Sequence, residues 1–274
     1  LNGVGPLNPP NAPLEGIRGV LLDIDGVLYV GDEPVPGAHE ALGALRARAD
    51  GVALVTNTTT KSRAGIVSHL RRLKFAVWPD QVLTPAATAV ATCRENGWSR
   101  VALLVADALR EDLSELDDVG LDASDLDAVV LADTGHGFDV PTLNGAFRAL
   151  MDGAQLVVLG HNRHYARPDG LHMDVGAWSA ALEYAAQVEP IVVGKPSAAF
   201  FATALQAIRV PAAETMMVGD DVEADVGGAL GAGLRGVLVR TGKYRADRIA
   251  ETGVTPTATI DSIADLPGLL GSAQ

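Results

Sequence analysis

"GVLLDIDGVLYVGDEPVPGA", residues 19 to 38, passes from an apolar run to a pair of carboxylates within a few residues. Gly19-Val20-Leu21-Leu22 has the unbroken apolar character of a strand covered on both faces, and Asp23 and Asp25 stand at its end. Two like charges so close repel each other. Either the chain simply turns here and the acids face water, or two carboxylates are gathered round a cation to do chemistry. Gly26 allows a tight exit from the strand, so the second carboxylate can swing toward the first. A calcium loop of the EF-hand kind is excluded, because position 27 is Val where that loop needs an Asp or Asn ligand.

Outward from this stretch, apolar runs alternate with amphipathic segments: strand-like 17–23, helical 37–49, strand-like 51–56, helical 61–74. The rhythm resumes with 190–195, helical 197–208, strand-like 215–220, helical 222–232 and strand-like 236–242. Such alternation predicts an α/β fold built on a parallel sheet. Between the two halves lies another α/β-like stretch, with "RVALLVA" (100–106), "DAVVLA" (127–132) and "AQLVVLG" (154–160) as its strands. The predicted organisation is a flexible lead-in over 1–16, a core from 17–79 and 189–274, and an inserted domain over 80–188. Ligands of open parallel sheets bind beyond the carboxyl ends of the strands, so Asp23, Thr56, Lys195 and Asp220 are expected to converge although far apart in sequence.

Each of these positions has a plainer alternative. Thr56 closes "GVALVT" and precedes Asn57; a hydroxyl with backbone N–H groups at a helix start makes a phosphate cradle, and Thr and Asn are also ordinary helix caps. Lys195 follows "IVVG" and precedes Pro196, which delivers an ammonium group to a strand end or leaves a surface lysine. "MMVGDDVEADVGGALGAGLRG" places Asp220, Asp221 and Asp225 just after an apolar strand, and three carboxylates there repel one another unless they share a cation. "GAGLRG" (231–236) has dinucleotide-binding spacing but follows a helix and precedes a strand, the reverse of what pyrophosphate binding needs. Its glycines are assigned to close packing and a helix C-cap. "LREDLSELDDVGLDASDLD" (109–127) reads as a solvated helix face with its loop.

Composition narrows the classes. The 34 acidic and 21 basic residues give −13, which opposes sequence-independent nucleic-acid binding. No apolar stretch is long enough to span a bilayer, and the start has no basic and apolar signal segment. A single cysteine, Cys93, forms no internal disulfide and has no cysteine neighbour for a zinc site, which favours a reducing compartment, with the cytoplasm as the expectation.

The ordered set D-x-D-G, T-N, V-G-K-P and G-D-D-x-x-x-D resembles the haloacid dehalogenase superfamily. "DIDGVLYVGDEPVPGA", "LVTNTTTKSR", "VVGKPSAAFF" and "VGDDVEADVGGALGAGLRGVLVRTGKYR" resemble its subfamily IIA, in which a large cap is inserted between the second and third motifs. The likeness runs from about residue 17 to 265. "TALQAIRV" and "LNGAFRALMDGAQLVVLGHNRHY" look like the phospholysine phosphohistidine inorganic pyrophosphate phosphatase group within it.

The resemblance implies a Rossmann-like parallel-sheet core with helices on both faces and an α/β cap. It also implies a Mg2+-dependent phosphatase working through an aspartyl-phosphate on a small phosphorylated metabolite or pyrophosphate-like substrate. Carried over by position, Asp23 is the nucleophile and a metal ligand, and Asp25 is the general acid and base, its carbonyl also on the metal. Thr56 and Asn57 hold the phosphoryl group, Lys195 neutralises it, Asp220 completes the metal site, and Asp221 and Asp225 support it. Several relatives carry Ser where this chain has Asp25; here the set is complete. Two rivals use related residues: a phospho-receiver-like switch, which keeps its phosphate, and a metal-independent dehalogenase, which leaves the acids around Asp220 unexplained. A homodimer through the cap stays open. "GHNRHYARPDGLHMDVGAW" (160–178) is the candidate specificity loop, or else a linker with incidental basic residues.

Overall fold

The computed structural model describes residues 14–167 and 170–270. The lead-in expected over 1–16 therefore lies outside the described residues except for its last three, of which Leu14 is buried. The chain forms two compact units, one running to Val55 and resuming at Ala204, the other spanning Thr56–Thr203.

In the first unit, parallel strands lie in the order Ala258–Ile260, Arg235–Val239, Thr215–Gly219, Gly19–Asp23, Gly51–Val55. The central pair, Gly19–Asp23 and Thr215–Gly219, is buried at every position, which explains why both segments read as continuous apolar runs and not as alternations. Their register sets Leu22 opposite Val218 on one side and Leu54 on the other. Parallel pairing then brings the ends of these strands, and whatever polar residues follow them, to one edge. Ala38–Arg48 returns the chain between the first and second of these strands in sequence.

The second unit has its own parallel sheet, ordered Ile191–Val192, Gln155–Val158, Ala128–Leu131, Arg100–Leu104, Asp117–Asp118. Successive side chains point to opposite faces. Val101, Leu103 and Val130 pack with Ala86, Ala89 and Cys93 of the helix Pro85–Asn96. Val129, Leu131, Leu156 and Val158 pack instead with Ala146 and Leu150 of Val140–Met151 and with Leu182 of Val175–Ala186. The fold is thus α/β, with parallel sheets and helices on both faces. Burial pushes the Cys93 thiol up to about 11, so it stays protonated and acts as a small apolar core group. No helix among the described residues is long and apolar enough to cross a membrane.

Four expectations need correction. The strand-like run 190–195 is a strand only over Ile191–Val192, and it pairs with Gln155–Val158 instead of joining the sheet that carries Asp23. Ile191 and Val193 pack with Val157 and Leu159, and this contact decides which sheet the segment joins. Residues 109–127 form turns and the short strand Asp117–Asp118, not a helix, because Leu109, Leu113 and Leu116 are buried in the core of that unit. The helical run 222–232 splits into a π-helix, Val222–Gly227, and one α turn, Gly228–Gly231. The region 160–178 contains an antiparallel hairpin, His164–Arg167 with Gly170–Met173, whose residues 168 and 169 lie outside the described ones.

Candidate active site

Asp23, Asp220 and Asp225 come together in the first unit. All three are buried, and one carboxylate oxygen of each lies within 4.8 Å of the others. Asp23 ends its strand, and Asp220 follows the neighbouring Thr215–Gly219 directly. Asp225 arrives by a wider route. Asp221 Oδ1 accepts the Glu223 and Ala224 N–H groups, each at 3.0 Å, and so caps the π-helix. The Val226 N–H reaches back to the Asp221 carbonyl at 3.3 Å, and this five-residue turn brings Asp225 Oδ2 to the Asp221 N–H at 3.1 Å. Asp221 therefore shapes the loop, and Asp225 stands beside Asp23 and Asp220 in the carboxylate group.

Glycines make room for these acids. A Cβ on Gly26 would lie 2.0 Å from Asp220 Oδ2, a Cβ on Gly242 would meet the same oxygen at 2.0 Å, and one on Gly219 would lie 2.1 Å from Asp225 Oδ2. Gly26 also has φ +82°, a region costly for other residues. The Lys243 N–H donates to Asp220 Oδ2 at 2.7 Å, and the Thr241 hydroxyl donates to the Gly26 carbonyl. Gly26→Ala is expected to destabilise the protein by about 2–4 kcal/mol through left-handed strain and overlap with Asp220. Urea unfolding tests this, and a loss below about 0.5 kcal/mol would contradict the packing described.

Three acids gathered in a buried space need positive charge to offset their repulsion. Their donors are all hard oxygens, with no His or Cys in the group, so the set suits a hard divalent cation and not a soft metal. Asp220 also lines a cavity of about 200 Å³ together with Asp221, Lys243 and Tyr244.

Asp25 stands apart from these three and is exposed. The Gly26 N–H donates to the Tyr29 carbonyl at 2.8 Å, and a bridge pairs Asp25 with Tyr29. The Tyr29 hydroxyl hydrogen-bonds the Asp25 carboxylate; burial first, and that bond second, hold the phenol well above its ordinary range and keep it a donor. Sequence reading passed over Tyr29 because it sits in an apolar run; its signal was the four-residue spacing from Asp25, one tight turn away.

Thr56, Asn57 and Lys195 belong to the second unit. The Asn57 side chain pairs with the backbone of Lys195 in both directions: Nδ2 donates to the Lys195 carbonyl at 2.9 Å, and Oδ1 accepts the Lys195 N–H at 2.8 Å. Buried Thr56 holds its own loop, its Oγ1 accepting the Thr58 N–H at 3.0 Å and donating to the Thr58 hydroxyl at 2.9 Å. No helix starts directly after Asn57. Ser62 is the cap, accepting the Gly65 N–H at 3.1 Å, and the helix is Arg63–Arg72. The cradle expected at a helix start is an open loop. Lys195 is 5% exposed, which excludes the surface-lysine alternative.

Residues 20–120 match the haloacid dehalogenase-like hydrolases, and residues 192–266 match a HAD-hydrolase-like family. Over 263 residues the chain is 43% identical to the phospholysine phosphohistidine inorganic pyrophosphate phosphatase of Bos taurus, covering 94% of this chain and 95% of that protein. It is 41% identical over 251 residues to haloacid dehalogenase-like hydrolase domain-containing protein 2 of Bos taurus, covering 92% and 95%. The p-nitrophenyl phosphatase from Archaeoglobus fulgidus shares the fold with a TM-score of 0.85 at 26% identity, over 93% of this chain and 99% of that one. With this likeness running nearly end to end, the chain belongs to the haloacid dehalogenase-like hydrolase family, as an enzyme of its phosphatase kind.

Proposed function

We propose that the enzyme is a magnesium-dependent phosphohydrolase that cleaves a small phosphorylated metabolite or pyrophosphate-like substrate through an aspartyl-phosphate. The buried group of Asp23, Asp220 and Asp225 carries this reading, since it sets a candidate nucleophile among oxygen ligands. Magnesium would be held by Asp23, Asp220 and the Asp25 carbonyl, with Asp225 beside them, and its charge would offset the repulsion between Asp23 and an anionic phosphate. In the first step the Asp23 carboxylate forms a bond to phosphorus while the bond to the leaving oxygen breaks, and Asp25 gives that oxygen a proton. In the second, Asp25 takes a proton from water, the water oxygen bonds to phosphorus, and the Asp23–phosphorus bond breaks to release phosphate. Thr56 and Asn57 hold the phosphoryl oxygens, and Lys195 balances their charge. In this reading residues 17–79 and 189–274 do the chemistry and 80–188 selects what enters.

Hydrolysis of 4-nitrophenyl phosphate is expected to stop on chelation and return with magnesium. Asp220→Asn is expected to raise the magnesium needed for half-maximal rate at least ~10-fold, since one anionic ligand is lost. Activity that survives chelation in both proteins would remove the metal from the reading.

A further inference from the structure

The segment that follows the strand Arg235–Val239 touches two loops of the candidate active site. That strand runs parallel to Thr215–Gly219, with Leu238 opposite Gly219, so the chain leaving it arrives at the edge where Asp220 stands. It turns there: the Tyr244 N–H donates to the Thr241 carbonyl at 3.3 Å, and Gly242 takes φ +62° inside the turn. The approach is too close for any side chain at 242, since a Cβ there would lie 2.0 Å from Asp220 Oδ2 and 2.5 Å from the Gly26 Cα. The residues on either side of Gly242 each bond to one of the two loops. The Lys243 N–H donates to Asp220 Oδ2 at 2.7 Å, and the Thr241 hydroxyl donates to the Gly26 carbonyl.

Gly26 is thereby held from both sides. Its N–H donates to the Tyr29 carbonyl at 2.8 Å, and its carbonyl accepts from Thr241. The peptide joining Asp25 to Gly26 is trans and planar, so the Asp25 carbonyl points opposite that N–H and cannot turn unless the bond to Tyr29 breaks or Gly26 moves. We infer that Thr241 is a positioning residue for the metal site: its hydroxyl and the Lys243 N–H together fix the Asp25 carbonyl relative to the Asp220 carboxylate. This rests on the reading of those two groups as magnesium ligands. Magnesium tolerates little displacement of its oxygen ligands, whereas calcium accepts longer and more variable distances. Loosening the clamp therefore costs magnesium more than calcium, a difference that a general loss of stability does not produce.

The test titrates Mn2+ into the whole metal-free chain, reads the unbound ion by electron paramagnetic resonance, and displaces the bound ion with Mg2+ or with Ca2+. Thr241→Val keeps the shape of the side chain and removes the donor. It is expected to weaken Mg2+ binding about tenfold and Ca2+ binding less than about threefold. Thr241→Ser keeps the hydroxyl and is expected to hold Mg2+ within about twofold of the wild type. Thr241 is half-buried, so Thr241→Ala, which adds no bulk, gives the same reading should the valine variant not fold. Unchanged Mg2+ affinity without the hydroxyl, equal losses for both ions, or a serine variant as weak as the others would overturn the inference. Asp220→Asn separates it from the reading beneath: weaker Mg2+ binding there with none in Thr241→Val removes the clamp alone, and unchanged binding in Asp220→Asn removes the metal assignment together with the clamp.

Discussion

Asp23→Asn is expected to lower hydrolysis of 4-nitrophenyl phosphate at least ~10⁴-fold while leaving the thermal midpoint within a few degrees of the wild type. The amide has the shape of the carboxylate but no charge with which to attack phosphorus. Asp23 is buried and grouped with Asp220 and Asp225, so removing one of three like charges also relieves repulsion and should not unfold the strand end. Circular dichroism and the burst of 4-nitrophenolate on mixing would be measured on the same sample. Retention of more than about one hundredth of the wild-type rate would rule out an aspartyl-phosphate at this position.

Asp25→Asn has the second-largest expected effect and a different signature. The side chain lies outside the three-carboxylate group, exposed, and is hydrogen-bonded by the Tyr29 hydroxyl, so its loss leaves the Asp23, Asp220 and Asp225 group intact. General acid and base catalysis contributes typically ~10²- to 10⁴-fold, and that is the loss expected for an alkyl phosphate, whose alkoxide leaves poorly without a proton. For 4-nitrophenyl phosphate the leaving step needs little help and the loss should be smaller. Equal losses for both substrates, with release of the phosphate from Asp23 shown not to limit the rate, would count against Asp25 as the proton donor.

The strands of the fold were legible because burial on both faces writes a run such as Val20-Leu21-Leu22 or Met216-Met217-Val218 directly into the sequence. What a run does not encode is its partner. Ile191–Val192 has the same apolar character as the strands beside Asp23, and only its packing on Val157 and Leu159 assigns it to the other sheet. The acids were legible as types at strand ends, and Asp23 and Asp220 do meet. How Asp225 reaches them was not legible, because ordinary helical spacing gives no reason for its side chain to turn back; the π turn capped by Asp221 supplies that reason. Tyr29 was hidden for the opposite cause, an aromatic buried like a core residue whose hydroxyl is nonetheless bonded to the Asp25 carboxylate. The apolar residues within 109–127 were outvoted by the acids around them, and a segment with so many charges was read as solvated.

The order of strands in the first unit has a consequence for the chain while it is being made. Gly19–Asp23 lies between Gly51–Val55 and Thr215–Gly219, and about 160 residues separate Val55 from Thr215. At a ribosomal pace of ~5–20 residues per second, the innermost strand waits roughly 8–30 s with one neighbour in place and the other side bare. An unpaired edge of the composition Gly-Val-Leu-Leu is a template for pairing with a second nascent chain. The strand that carries Asp23 is therefore open to pairing with another chain through this interval, a hazard set by sheet order and independent of how stable the finished protein is.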